Sequence, residues 1–421
     1  MTRSEYLMAL YDALNDIPAE DRTEIVSEYR DFFDSELAKG RTEEEICISL
    51  GDPVTLAYAI KQRRGYGKPP KQPPVKRGHP GSFRAVRIIM GVFIAMAVFS
   101  ILGFSVTYEI GRGIFGIGEK YDVDNYKDID PGSAESIKIQ VKVADTIIKV
   151  SPDNKVHASL KGSVWTTSEK AVPKLEVFRD GSSLIIREQR ESLSITHFSG
   201  SLNLDISIPE DFRGRIIYEG AAGNLTSYGL ELDSLHVKLT LGDIRLEDIA
   251  LDDDLSIVSS SGNINIEKLK AKEAYIKSSS GDKKLKSMTV RGDVTFISSS
   301  GNNYINDMEC DSLSVNSTSG DTTINGLNGG LNAKSTSGNV SVTLEKLIGS
   351  IDISVLSGNT ELRIPSYSDF TIDCSVASGD IDCDFDLDDE HSGKKSLRGS
   401  HGAGTYPINI KTTSGNIRIR D

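Results

Sequence analysis

The sequence predicts a multidomain protein with a small all-α cytosolic head, one transmembrane helix and an all-β extracytoplasmic repeat domain. A parallel β-solenoid is the favoured path for the repeats. Three observations predict this class. Ser-Gly followed by Asn or Asp recurs at Gly262, Gly281, Gly301, Gly320, Gly338, Gly358, Gly379 and Gly415, with gaps of 19, 20, 19, 18, 20, 21 and 36 residues. A fixed step of this size is the signature of stacked repeat units. A run without charge, Ile88 to Tyr108, extends for 21 residues, which as a helix would be roughly 30 Å long. Ahead of it, apolar residues fall at three- and four-residue spacing between helix start and stop signals.

The head comes first, over residues 1–64. Thr2 with Glu5 reads as a capping box, and Tyr6, Leu7, Leu10, Leu14 and Ile17 form an apolar stripe. Pro18 can open a second helix, along which Ile25, Val26, Tyr29, Phe32, Phe33 and Leu37 line one side and Gly40 supplies the stop. Thr42 with Glu45 starts a short third helix, and Asp52-Pro53 starts a fourth. Tyr29, Phe32 and Phe33 are expected in the core, while Glu20, Asp21, Glu24, Glu28 and Asp31 make an acidic face. That face is either solvated or docks a basic partner. No histidine precedes His79, and no nucleophile is paired with a base, so the head carries no catalytic set.

The stretches "IPAEDRTEIVSEYRDFF", "LAKGRTEEEI" and "LGDP" resemble the small bacterial helical domain called HAAS. That resemblance implies a membrane-tethered signalling role beside a cytosolic regulatory protein such as a PadR-type transcription regulator.

Charge divides the rest. Residues 53–108 hold nine basic side chains and no acidic one, against a net charge of −13 for the chain. The basic block, with a Pro- and Lys-rich linker at 65–87, abuts the uncharged run at 88–108. Its expected charge partner is therefore a membrane surface and not nucleic acid. With the basic side on the N-terminal flank, the positive-inside rule places the N-terminus in the cytoplasm of a single-pass protein of the bacterial cytoplasmic membrane. Residues 109–134 read as a juxtamembrane linker.

Residues 135–421 form the repeat domain. "LSIVSSSGNINIEKL" and "LSVNSTSGDTTINGL" alternate apolar and polar residues on both sides of the Ser-Gly-Asn/Asp unit. Two half-buried strands joined by a corner fit that pattern, with glycine supplying a positive φ. The corner is either a bend in a coil or a hairpin turn in a meander, and the regular step favours the coil. Residues 137–218 are less regular and are expected to cap or begin the same body. This half resembles the bacterial adhesin-type family built of β-strand repeats, which implies a surface role without naming a ligand.

Candidate sites are few, and no catalytic, cofactor-binding or metal residue is assigned. Asp380, Asp382, Asp384, Asp386 and Asp388 alternate along one strand and read as a solvated face, with calcium as the functional alternative. His391, His401 and Cys383 lack zinc spacing. Cys374 and Cys383 read as buried small hydrophobes, with a cross-strand disulfide as the alternative. The segment "DDEHSGKKSLRGSHGAGTY" reads as a polar loop inserted in the repeats, and the final turn "INIKTTSGNIRIRD" as an unpaired edge. The expected function is non-enzymatic: a signalling protein coupling the outer repeats to a cytosolic partner, or alternatively a surface adhesin or structural envelope protein that meets a polymer or surface ligand and uses the head as an anchor.

Overall fold

The computed structural model describes residues 3–14, 119–166, 169–190 and 199–421, together with single positions of the head between Pro18 and Glu43. The chain divides into two compact units, Met1–Ile110 and Gly111–Asp421.

In the first unit, the helix Arg3–Ala13 carries Tyr6, Leu7 and Leu10 on one face. These are buried with Leu14, Ile25, Val26 and Phe33, and the Tyr6 and Phe33 rings lie 5.8 Å apart. The Arg3 N–H, an orphan donor of the first turn, is satisfied by the Glu43 carboxylate at 2.9 Å.

The second unit is a coil of strands. Leu235–Leu241, Asp254–Ser261, Glu273–Ser278 and Asp293–Ser298 pair in parallel, each with the next. On the adjoining face Ile244–Leu251, Ile264–Ala271 and Lys283–Val290 do the same. Partners such as Ile257 and Ile276 lie one repeat apart in sequence. A hairpin would pair neighbouring strands antiparallel, so the parallel register makes each Ser-Gly-Asn/Asp unit a bend in a coil. Apolar side chains then stack in columns. Val237, Ile257, Ile276, Phe296 and Val315 form one, and Leu246, Ile266, Leu285, Ile305 and Ile324 another, all buried.

Both ends depart from the parallel pattern. At the first, Glu119–Ile129 pairs antiparallel with Val156–Thr166, which pairs antiparallel with Ser199–Pro209. At the other, the segment expected as a polar loop is a hairpin of Asp388–Gly393 and Ser396–His401, laid antiparallel on Phe370–Ser378. The final turn is not an edge either. Tyr406–Ser414 lies between Ile351–Ser357 and Phe370–Ser378, and Ile417–Arg420 lies between Thr360–Arg363 and Ile381–Cys383.

The expected fold class is therefore corrected. Strands dominate the described residues, joined in one barrel-like sheet of 28 strands around a continuous core. A small all-α head is not supported: in it the described residues delimit one α-helix, Arg3–Ala13. Among the described residues no helix is long and apolar enough to cross a membrane, and the run 88–108 expected to cross lies outside them. The physical reason is that an apolar stripe marks which side chains turn inward, as Ile25 and Phe33 do, without delimiting a helix. The period-2 pattern is reinforced by pairing in every successive turn.

Two columns of positive φ shape each turn. The corner glycines adopt φ from 91° at Gly301 to 144° at Gly358. A Cβ at Gly262 would lie 2.0 Å from the Gly242 carbonyl oxygen, so only glycine lets successive turns approach. The second column was not visible as a motif: Gly229 (φ 69°), Asp248 (57°), Lys268 (57°), Ser287 (54°), Asp307 (54°) and Gly326 (66°). Here the left-handed conformation is open to any residue at a strain of about 1–2 kcal/mol.

The two columns should respond oppositely to substitution. Gly262→Ala is expected to lower stability by about 3 kcal/mol or more, because strain and a backbone clash combine. Lys268→Gly and Ser287→Gly should each raise it by about 0.5–1 kcal/mol, the strain relieved less the extra unfolded-state entropy of glycine. Urea midpoints of the three variants measure both signs.

Candidate functional site

The recurring corner has a structural role that its chemistry explains. In each turn the Asn or Asp after the glycine accepts, through Oδ1, the backbone N–H of its counterpart in the next turn. The column runs Asp145, Asn224, Asp243, Asn263, Asp282, Asn302, Asp321, Asn339, Asn359, Asn416, Asp380, joined by ten hydrogen bonds of 2.7–3.0 Å. Three residues before the glycine, Ser259, Ser278, Ser298, Ser317 and Ser335 are buried. Ser278 turns its hydroxyl to the Ser280 carbonyl at 3.0 Å, a local turn-forming bond. None of these serines is hydrogen-bonded to a histidine or carboxylate, so the motif is a corner and not a nucleophile.

The other residues weighed from the sequence do not converge. The acidic stretch is not one strand, because it breaks after Ile381–Cys383; Asp382 and Asp384 are held by Arg420 at 2.5 and 2.8 Å. Arg420 lowers the Asp382 pKa, by hydrogen bonding first and charge second. Among the described residues no group of three or more His, Cys, Asp or Glu is placed to hold a metal ion. His401 is packed against Phe370 and Phe385 and hydrogen-bonds the Ser368 carbonyl, while His391 bonds the Asp389 carbonyl. Cys310, Cys374 and Cys383 are free thiols, and burial pushes Cys310 and Cys374 up to about 12, far from reactive.

Two clusters escaped the sequence because their members lie far apart in it or break its pattern. His157 is held by Asp128 at 2.5 Å and Asp153 at 2.8 Å, and these bonds raise its pKa. The cluster clamps the first antiparallel strands. Lys283 occupies a core position of the column Ile264, Lys283, Asn303, Thr322, Val340. It is fully buried, and its Nζ donates to Ser298 Oγ at 2.7 Å and the Ser300 carbonyl at 2.5 Å. Burial lowers its pKa to about 8.

The arrangement best suited to binding is a groove along the second positive-φ column. It has a volume of about 400 Å³ and is lined by Gly229, Glu231, Asp248, Ala250, Lys268, Lys270, Ser287 and Thr289, with Ile249 and Leu269 beneath. A smaller cavity of about 80 Å³, lined by Val150, Ile208, Pro209, Phe212, Leu230 and Leu232, adjoins it at Gly229 and Glu231. The left-handed residue bends every turn inward, and the stacked bends make the groove lengthwise. Lys268 and Lys270 are exposed in it, and among the described residues neither is ion-paired. Neighbouring Lys272 and Lys286, by contrast, are held at 3.1 Å by Asp253 and Glu267. Residues 264–291 hold eight basic and three acidic side chains, a basic band on a body that is otherwise acidic. Charge totals over the whole domain conceal that band.

The larger unit is thus a coiled β-repeat body with capped ends and a lengthwise groove. The Toastrack DUF4097 family model matches residues 134–298 and 252–420, and the HAAS model matches residues 5–59. The chain belongs to the Toastrack DUF4097 family and carries a HAAS domain at its N-terminus. No curated protein matches it. Among solved structures it is similar to a "putative adhesin" from Bacteroides fragilis, at 14% identity over 73% of this chain and 100% of that one, TM-score 0.32. It is similar also to a "putative adhesin" from Parabacteroides merdae, at 14% identity over 71% and 96%, TM-score 0.37. A "putative lipid binding protein" from Parabacteroides distasonis matches at 14% identity over 71% and 97%, TM-score 0.31.

Lys283 and the corner column each give a test. Lys283→Met should stabilise the protein at neutral pH by about 1–2 kcal/mol, since a buried cation is replaced by an apolar side chain. Between the folded pKa of about 8 and the unfolded value of 10.5, the unfolded chain binds more protons and native stability rises with pH. The advantage of Lys283→Met should therefore hold below about pH 8 and shrink as pH climbs through that window, as melting temperatures of the pair will report. Asn302→Asp would put three carboxylates in consecutive rungs, Asp282, 302 and Asp321. It should destabilise by on the order of 1 kcal/mol, with the difference shrinking in added salt.

Proposed function

We propose that this chain is a non-enzymatic regulatory protein of the bacterial envelope, in which the Toastrack body meets an envelope component and the HAAS domain engages a cytosolic regulator of the PadR type. The observation that carries the reading is the pairing of these two domains in one chain, on either side of a basic block and an uncharged run at 61–108. That segment supports attachment to the membrane with the HAAS side in the cytoplasm. Tethering and release of the partner is the mechanism that this pairing of domains suggests.

A second reading, a surface adhesin or structural envelope protein whose head is an anchor, is favoured by the groove and its unpaired lysines.

The experiment is in-cell crosslinking of the full-length chain, followed by purification and mass spectrometry. A DNA-binding regulator should be enriched, and lost when Glu24 and Glu28 of the acidic face are changed to Lys. Phe33 is unsuitable as a probe because it is buried in the head's core. If the same proteins are recovered from both forms, the docking role of the head fails and the adhesin reading stands in its place.

A further inference from the structure

We propose that the groove along the second positive-φ column binds an acidic polysaccharide lengthwise, with a sugar carboxylate seated on Lys268 and Lys270. The proposal rests on the repeat body being the ligand-binding half of the protein, which both functional readings share.

Conformational strain is the first argument. The column ends in Gly229 and Gly326, and glycine takes this conformation without strain. Between them the chain keeps Asp248, Lys268, Ser287 and Asp307 in the left-handed region. Each retains a side chain at an energetic cost that glycine would remove, and strain kept in this way concentrates where side chains have work to do. Three of these four line the groove.

The order of charges selects the ligand. Glu231, paired with Arg213 at 2.8 Å, and Asp248 stand at one end, Lys268 and Lys270 follow, then the hydroxyls of Ser287 and Thr289. One turn further on, Asp307 and Glu309 are exposed and acidic again. A uniformly charged polymer such as polyphosphate or a nucleic acid would set anionic groups against both acidic stretches. A glycan with widely spaced carboxylates avoids this. Its hydroxyls donate to Asp248 and Asp307, which as carboxylates can only accept, and exchange hydrogen bonds with Ser287 and Thr289. Its carboxylate meets two lysines that, among the described residues, form no ion pair. The turns rise by about 4.8 Å each, comparable to one sugar residue of an extended chain, so successive rings can face successive turns.

The test is a calorimetric titration of the full-length chain, held in neutral detergent, with oligosaccharides of gellan, whose repeat holds one uronate among neutral sugars. The gellan oligosaccharide should bind, and more weakly as salt rises. Lys268→Glu with Lys270→Glu should weaken it by about tenfold or more. Lys268→Gly should weaken binding while raising the melting temperature, which separates a lost contact from a lost fold. The methyl-esterified oligomer, with the same backbone and no charge, should bind at least about tenfold more weakly. Equal binding of the esterified oligomer, tighter binding of inorganic polyphosphate, or indifference to both lysine variants would each overturn the proposal. Failure here alongside successful capture of a cytosolic regulator removes the groove ligand and leaves the regulatory reading intact. Binding here with no regulator captured does the reverse.

Discussion

The structure depends on one close approach, the passage of each corner over the corner beneath it. A Cβ at Gly242, Gly262, Gly281 or Gly301 would sit within 2.0–2.2 Å of the carbonyl oxygen of the corner glycine one turn earlier. With the side chain absent, the turns close up and the next residue's Oδ1 reaches the N–H of its counterpart. That bond fixes the height of one turn above another, and so the register of the strands on either side. Register in turn decides which residues stack inside: a slip of one would exchange Ile257 and Ile276 for Ser256 and Tyr275, or for Val258 and Lys277. The residues in the rungs are tuned as well. From Asp145 to Asn339 the column alternates Asp and Asn, so a carboxylate always lies against an amide. Asn339 adds a second bond from Nδ2 to Asp321 at 3.1 Å. Two carboxylates in adjacent rungs would repel, and none occur.

How much of this was legible in the sequence follows from which features are local. Ser-Gly-Asn/Asp and the alternation around it are properties of a dozen consecutive residues, and they pointed to strands, a corner and a repeat. The first rung, Asp145, is absent from the motif because Ala144 stands where glycine would be. The buried Glu188 carboxylate supports that corner instead, accepting the N–H groups of Lys142, Val143 and Ala144 at 2.8–3.2 Å. The second column was hidden because Asp248, Lys268, Ser287 and Asp307 share a conformation and no chemistry. Only its flanking members, Gly229 and Gly326, are glycines, and they stand five turns apart. The groove inherits that invisibility. Among the described residues Lys268 and Lys270 form no ion pair, although Asp248 lies one turn from Lys268, whereas Lys272 and Lys286 reach Asp253 and Glu267.

The core also tolerates a polar seam that periodicity alone would exclude. Lys283, Asn303 and Thr322 occupy successive core positions between Ile264 and Val340, opposite the buried serines. Each would be expensive alone. Together they satisfy much of one another: Asn303 donates to Thr322 at 3.1 Å and to Ser317 at 3.3 Å. Residual cost remains, since Asn303 Oδ1 and Ser259 Oγ have no partner. Apolar columns on every face offset it, and a coil distributes the penalty over several turns.

The order of turns in the chain is not their order in space, and the reason lies in the ends. A coil of parallel strands finishes in a bare edge, which invites pairing with another chain. Here the last turn of the sequence is not the last of the stack. Asn416 bonds to Asn359 beneath it and receives the N–H of Asp380 above it, so the corner column continues without a gap. Arg420, drawn into the stack, meets Asp382 and Asp384 of the outer turn, and this gives the acidic stretch a partner inside the molecule. The outer turn can then be closed by the hairpin Asp388–Gly393 and Ser396–His401, whose antiparallel pairing ends the parallel ladder on that face. The 36-residue gap between Gly379 and Gly415 is therefore the length of chain needed to build a lid on one turn and come back beneath it.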